Sequence, residues 1–305
     1  MIRPPVGAVN CRCGSGWSAG RRPARLRALA RCHARPVLIC PLCRQMLDCQ
    51  PKVWRCAAGH CFDVARDGYV NLLPVQHKHS TDPGDSAESL AARRAFLEAG
   101  HYAPLRDAVL AQIGAAGARS VLDLGCGEGW YTQAFPQAPG APAVIGLDIA
   151  KPGIQLAARR HRSAGITWLV ASGAALPVAD GTLDLITCLF TQLHVAEMHR
   201  ALRPGGQVLV VTPAPTHLWS LRAGLFDEVR AHEPDKFVDG FIAAGFTLLA
   251  QQQVEASLRL DNTALRQLLA MTPYVWKARP ERRAALEQQT DFETTAAFAL
   301  LRFGR

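Results

Sequence analysis

The sequence predicts an α/β protein: a doubly wound sheet over residues 105–305, with a small metal-binding domain ahead of it. Three observations carry this prediction. A short apolar strand, SVLDL (120–124), runs into the glycine-rich turn GCGEG at 125–129. Strand-like and helix-like runs then alternate as far as residue 212. Of ten cysteines, eight lie within residues 11–61, and only Cys126 and Cys188 follow. A disulfide scaffold would spread cysteines through a small secreted domain, so this clustering points to a metal site in a reducing compartment.

The first element is a leader. The 305-residue chain carries 34 Lys+Arg against 25 Asp+Glu, a net charge of +9. Residues 1–39 hold eight Arg and no Lys, Asp or Glu, which leaves 26 basic against 25 acidic residues beyond them. Bulk charge therefore gives no argument for a nucleic-acid partner. The stretch is Arg-rich and acid-free like a transit peptide, but it lacks the apolar core of a secretory signal. Residues 1–37 are expected to be a basic leader, disordered or a misassigned start, with the native start near Val37 or Leu38. No apolar run approaches the ~18 residues of a membrane span, so no membrane partner and a cytoplasmic location are expected.

The second element is a zinc-binding domain over residues 38–80. Cys40 and Cys43 form a C-x2-C turn that aims two thiolates at one point. Cys56 and His60, with Gly59 between them, form the second turn. These four are the expected ligands of a structural zinc, with Cys61 as the competing fourth ligand and Cys49 between the halves. A second site from Cys11, Cys13, Cys32 and His33 is a weaker alternative.

A linker helix region at 81–104 comes next. DPGDS is a turn followed by a cap: Asp85 or Ser86 can cap a helix running to Ala99, which Gly100 ends.

The core domain follows from residue 105. SVLDL ends in Asp123, and Gly125, Gly127 and Gly129 are expected to turn tightly into a helix. The next strand, AVIGLD, ends in Asp148, a carboxylate suited to the two hydroxyls of a ribose. Strands at 166–171, 183–190 and 206–212 and helices at 152–163 and about 195–202 complete the alternation. RPGG at 203–206 reads as a helix stop and turn. Late strands at about 246–256 and 292–301 are expected to close the sheet as an antiparallel pair.

The dinucleotide fingerprint G-x-G-x-x-G is not met, because the third glycine comes one residue early. The D-x-G-x-G form instead resembles motif I of class I, Rossmann-like, S-adenosylmethionine-dependent methyltransferases. The longer phrases CPLC, YVNLLPVQHK, DPGDSAE, ARRAFLEAGHY, DLGCGEGWYT, RPGG and MTPYVWKARPE extend the likeness to nearly the whole chain from Leu38. They closely resemble the bacterial 23S rRNA guanine-N1 methyltransferases, most of all the guanine-745 branch that acts in the hairpin 35 region. The resemblance implies S-adenosylmethionine as methyl donor, a structural zinc, 23S rRNA as substrate and a homodimer. It carries zinc ligation to Cys40, Cys43, Cys56 and His60, and methyl-donor contacts to Tyr102, Gly127, Glu128 and His217, beside Asp123, Gly125 and Asp148 from motif I and the second strand. One departure stands out: the short aromatic-Ala/Ser-Pro stretch expected after the fourth core strand reads LFTQLHVAEMH (189–199), without proline.

Guanine N1 lies on the Watson–Crick edge, so the base must be unpaired or extruded to react. Its proton needs an acceptor, for which Asp82, Asp85, His77, His79 and His194 are candidates. RNA contacts are expected from YVWKARPERR (274–283), where Lys277, Arg279, Arg282 and Arg283 stand beside Tyr274 and Trp276, and from Lys52, Arg55, Arg66 and Lys78. Two other readings compete. The zinc knuckle and linker argue against a small-molecule methyltransferase. The intact Asp123, Gly125, Gly127 and Asp148 argue against a non-catalytic RNA-binding factor.

Overall fold

The computed structural model describes residues 37–74 and 87–305. The leader, Cys11, Cys13, Cys32, His33, His77, Lys78, His79, Asp82, Asp85 and Ser86 lie outside the described residues.

Three short strands, β1 (Leu47–Cys49), β2 (Val53–Cys56) and β3 (Cys61–Asp63), form an antiparallel ribbon in which Leu47 faces Cys56 and Arg55 faces Cys61. So small a sheet has little apolar surface of its own. It gains a core by docking: Cys40, Leu47, Trp54 and Cys56 join Leu122, Leu147, Leu176 and Ile186 of the larger domain in one buried cluster. The backbone is also stitched across, with Ile39 N–H donating to the Pro177 carbonyl at 3.0 Å and Ala179 N–H to the Val37 carbonyl at 2.8 Å.

Strand β4 (Tyr69–Asn71) is not a strand of the ribbon and keeps only an antiparallel bridge, Val64 to Val70, beside it. It pairs in parallel with β7 (Thr167–Val170) and becomes the edge strand of the main sheet. The eight-stranded order is β10–β11–β9–β8–β5–β6–β7–β4. The predicted central strands are β5 (Ser120–Leu124), β6 (Ala143–Asp148), β8 (Leu183–Leu189) and β9 (Leu202–Pro213). Every residue of β5 and of β8 is buried, as expected of parallel strands covered on both faces. The late pair, β10 (Thr247–Leu260) and β11 (Phe292–Gly304), is antiparallel, and β11 also runs antiparallel to β9.

Helices cover both faces. The linker supplies α1 (Ala87–Glu98) and the core begins with α2 (Ala103–Ala115). Next come α3 (Lys151–Arg160), α4 (Val195–Ala201), α5 (Trp219–Leu225) and α6 (Val238–Ala243). Between β10 and β11 lie α7 (Asn262–Met271) and α8 (Pro280–Glu287). The Asp261 carboxylate caps α7 by accepting Ala264 N–H at 2.8 Å. Ser89 of α1 donates to the Ala270 carbonyl of α7 at 3.1 Å, which fixes the linker helix over the core.

Two local expectations are corrected. The glycine turn does not open an α-helix: a six-residue 3-10 helix, Thr132–Gln137, follows it. Pro136 sits inside that turn and has no N–H to donate, and Pro139 and Pro142 come soon after, so α-helical propagation fails. RPGG does not precede the strand but bulges within it. Leu183 pairs with Leu202 while Leu185 pairs with Gln207, so three extra residues loop out. Their backbone is satisfied by the C-terminus: Gly205 N–H donates to the Arg305 carbonyl at 3.1 Å, and Arg305 N–H to the Gly206 carbonyl at 2.9 Å.

Candidate active site and metal centre

The metal centre is built by two turns of the ribbon. Cys40, Cys43, Cys56 and His60 place three Sγ atoms and one ring nitrogen within 4.8 Å of one another. The Cys43–Cys56 Sγ separation is 3.5 Å, and His60 Nδ1 lies 3.6 Å from Cys40 Sγ and 3.4 Å from Cys56 Sγ. A tetrahedral zinc with bonds of about 2.3 Å to sulfur and 2.0 Å to nitrogen gives edges of roughly 3.5–3.8 Å, so the set fits the ion. Burial opposes ionisation of the Cys56 thiol, yet hydrogen bonds from Cys43 and from His60 bring its pKa down to about 6. Leu42 N–H points at Cys40 Sγ from 3.4 Å, the kind of outer contact that steadies a thiolate. Cys61 and Cys49 are exposed and turn to the carbonyls of Gly59 and Leu47 instead. All four ligands come from the protein, which marks the zinc as structural.

Across the main sheet, a cavity of about 1090 Å³ opens along the carboxyl edges of β6, β5, β8 and β9. Open α/β sheets bind ligands at this crevice. Its middle is the glycine turn. Gly125, Gly127 and Gly129 all have positive φ, at 72°, 56° and 82°. A Cβ on Gly129 would lie 2.6 Å from the Trp168 ring and 3.0 Å from Ala157. Only glycine permits both the backbone and the packing at that position.

One end is the Asp148 carboxylate. Its Oδ2 accepts Gly127 N–H at 2.8 Å and its Oδ1 accepts Ala150 N–H at 2.8 Å. The carboxylate lines the cavity, and a carboxylate at the end of this strand suits a vicinal diol. Asp123 lies beneath the turn, 2% exposed. Both its oxygens are engaged, Oδ2 by the Thr132 hydroxyl at 2.6 Å and Oδ1 by the Thr187 hydroxyl at 2.7 Å. Burial raises its pKa to about 6. Asp123 therefore ties β5 to β8 and to the start of the 3-10 helix, and positions the turn from below.

Glu128 is 3% exposed at the wall, and burial raises its pKa to about 6 against the opposing charges of Arg93 and Arg94. Tyr102 is 4% exposed and packs edge-on to Phe96 at 5.2 Å and Phe298 at 4.9 Å. Both line the cavity, as do Gly125, Gly127 and Asp148.

The other end lies over β8 and β9. His217, in the loop between β9 and α5, hydrogen-bonds through Nδ1 to the Ala297 carbonyl at 2.8 Å. That carbonyl can only accept, so Nδ1 carries the proton and Nε2 is left as an acceptor. Burial lowers the His217 pKa to about 4, so the ring is neutral. His232 is likewise lowered to about 4 by burial, with help from Arg222 and Lys236, and its Nε2 is 3.0 Å from the Tyr274 hydroxyl. Phe190 completes this end with a φ of 55°, strained for an aromatic residue, and the residue is 47% exposed. Of the proton acceptors expected from the sequence, His194 lines the cavity with its pKa lowered by burial.

The sequence missed Arg93, His232, Phe190 and Phe298. Leu90, Arg93 and Leu97 all line the cavity and share one face of α1 by their spacing, so helical periodicity held the signal for Arg93. His232 and Phe298 reach the cavity from distant segments, and nothing local marks them.

The expected RNA-binding stretch 274–283 is only partly available. Tyr274 turns into the cavity, and Arg279 and Arg282 share Asp227. Arg283 pairs with Glu287. Trp276 is 78% exposed beside Lys277.

Comparison with known proteins decides the family. The N-terminal zinc-ribbon model of RlmA matches residues 38–81, and a methyltransferase-domain model matches residues 121–206. A 23S rRNA (guanine(748)-N(1))-methyltransferase of Streptomyces fradiae is 36% identical over 257 residues, 81% of this chain and 88% of that protein. The chain belongs to the 23S rRNA guanine-N1-methyltransferase family. A protein of Micromonospora griseorubida and one of Bacillus subtilis strain 168 carry the provisional name 23S rRNA (guanine-N(1)-)-methyltransferase. They are 35% and 32% identical, over 88% and 86% of this chain and 97% and 95% of theirs. As a 23S rRNA guanine-N1-methyltransferase, the protein uses S-adenosylmethionine and carries a structural zinc. The turn fits the donor at Gly127, where the space a Cβ would fill is open as far as Arg93 Nη1 at 3.9 Å. No helix among the described residues is long and apolar enough to cross a membrane.

Proposed function

We propose that the enzyme methylates N1 of a guanine in the hairpin 35 region of 23S rRNA, at the 745-type position. The phrases YVNLLPVQHK, DPGDSAE and MTPYVWKARPE support this branch. The observation that carries the reading is a single cavity with two unlike ends. Asp148 offers a diol-binding carboxylate at one end, while neutral imidazoles and aromatic rings occupy the other.

In this reading Asp148 holds the ribose, Gly125 and Gly127 let the backbone approach the donor, and Asp123 holds the turn in place. Tyr102, Glu128 and His217 line the path of the methionine moiety. S-adenosylmethionine supplies an electrophilic methyl on a good leaving group, so the protein's main task is alignment. The aromatic end, with Phe190, Phe298 and Tyr274, provides faces for an extruded guanine. The enzyme acts in the cytoplasm on ribosomal RNA, as a homodimer.

A second reading, guanine 748, is favoured by the Streptomyces fradiae relative, whose name gives that position. Methylation of 23S rRNA from a strain lacking the enzyme, followed by nuclease digestion and mass mapping, separates the two. One methyl at guanine 745 is the expected result. Methylation at 748 would transfer the assignment, and none in hairpin 35 would refute both. Light scattering on the eluting peak tests the dimer, and a monomer mass at working concentration refutes it.

A further inference from the structure

The cavity is rich in acids and poor in cations. Asp123, Glu128 and Asp148 all line it. Among the described residues, Arg93 is its sole lysine or arginine. The three histidines that line it, His194, His217 and His232, all have pKa values lowered by burial and are neutral near pH 7. A methyl donor with a sulfonium and an α-ammonium finds ample negative charge there. Its α-carboxylate needs a cation, and Arg93 supplies the one permanent positive charge.

The position fits. Arg93 stands on α1 between Leu90 and Leu97, which also line the cavity. Its Nη1 lies 3.9 Å from where a Cβ on Gly127 would project, so the guanidinium hangs directly over the glycine turn. Glu128 follows Gly127 in the chain, and Arg93 leads the charges that oppose the rise of its pKa. A cation and a carboxylate thus flank the turn, the complement of a zwitterionic amino acid. Arginine presents paired N–H donors whose geometry matches a carboxylate.

We propose that Arg93 binds the α-carboxylate of the methyl donor and Glu128 faces its α-ammonium. This makes the linker helix part of the donor site and distinguishes whole donors from fragments that lack the amino-acid moiety. The inference rests on the cavity being the methyl-donor site.

The test compares two ligands by titration calorimetry on the full-length protein. S-adenosylhomocysteine has the amino-acid group, whereas 5′-methylthioadenosine shares the adenosine and thioether but lacks it. Arg93→Gln should weaken S-adenosylhomocysteine about 10- to 100-fold, the usual range for losing a charge-assisted pair. It should leave 5′-methylthioadenosine unchanged, which also shows that the cavity is intact. Arg93→Lys should fall between, keeping the charge without the fork. Equal weakening of both ligands by both variants would overturn the proposal and leave Arg93 a shaping residue. Unchanged binding of both would overturn it too. If wild-type protein bound neither ligand, the donor-site reading itself would fail, an outcome distinct from either.

Discussion

The Asp148 carboxylate accepts the backbone N–H of Gly127 at 2.8 Å, and so couples the end of one strand to the glycine turn of its neighbour. The same carboxylate receives Ala150 N–H at the start of α3. One side chain therefore sets the turn, holds the residue just before the next helix and lines the cavity. Asp148→Ala should weaken S-adenosylhomocysteine about 10- to 100-fold. Asp148→Asn should do no better, because its amide would set a donor against one of those N–H groups. Calorimetric affinities check both, and wild-type affinity in Asp148→Ala would reject the ribose assignment.

Zinc should track four ligands and no others. Cys40→Ser should lose the metal, read as zinc released per chain with a chromophoric chelator, and lower the unfolding temperature. The drop should be large because the ribbon shares its core with the main sheet through Cys40, Leu47 and Trp54. Cys61→Ser should keep one zinc per chain, since Cys61 is exposed and faces the Gly59 carbonyl. Zinc loss in Cys61→Ser would reassign the fourth ligand.

Two glycines of the turn should respond differently to alanine. At Gly129 the new Cβ would meet Trp168 at 2.6 Å as well as a φ of 82°. The combined strain and overpacking should cost about 2–4 kcal/mol in urea unfolding. At Gly127 the nearest atom is Arg93 Nη1 at 3.9 Å, so only the backbone term of about 1–2 kcal/mol applies. Equal losses at the two sites would contradict the packing account.

Acid sensitivity should include a contribution from His217. Its folded pKa, about 4, lies below the ordinary value near 6.5, so the unfolded chain binds a proton that the folded chain refuses. The neutral ring's contribution is complete above about pH 6.5 and is lost as pH falls toward 4, by up to about 3 kcal/mol. His217→Asn can still donate to the Ala297 carbonyl but does not titrate. Its unfolding free energy should fall less than that of the parent between pH 6.5 and 4.5. Asp123, whose folded pKa is raised to about 6, acts with the opposite sign, but it is present in both proteins and cancels in the comparison. Parallel curves would refute the burial account of His217.

Much of the architecture was legible because it is written in local pattern. SVLDL, AVIGLD and LDLITCL are continuous apolar runs, and all became parallel central strands. The zinc ligands were legible because metal chemistry fixes residue type and spacing together, and all four came together. The helix expected after the glycine turn formed, but as a short 3-10 helix, because Pro136 inside it lacks the N–H an α-helix would need.

By itself, then, the sequence determined the alternation of β5 to β9 with the helices α3 and α4, the late antiparallel pair, the glycine cradle, the Asp148 position and the metal set. Periodicity, turn chemistry and ligand spacing act over a few residues and need no fold to be read. Tertiary structure alone decided that β4 leaves the zinc ribbon to edge the main sheet, through backbone pairing about a hundred residues away. It alone placed Arg93 over Gly127, sank Asp123 between two threonines, and gathered His217, His232, Tyr274 and Phe298 at one end of a cavity. Such meetings depend on how sheet and helices close around a common core, a property of the whole packed chain and not of any one segment.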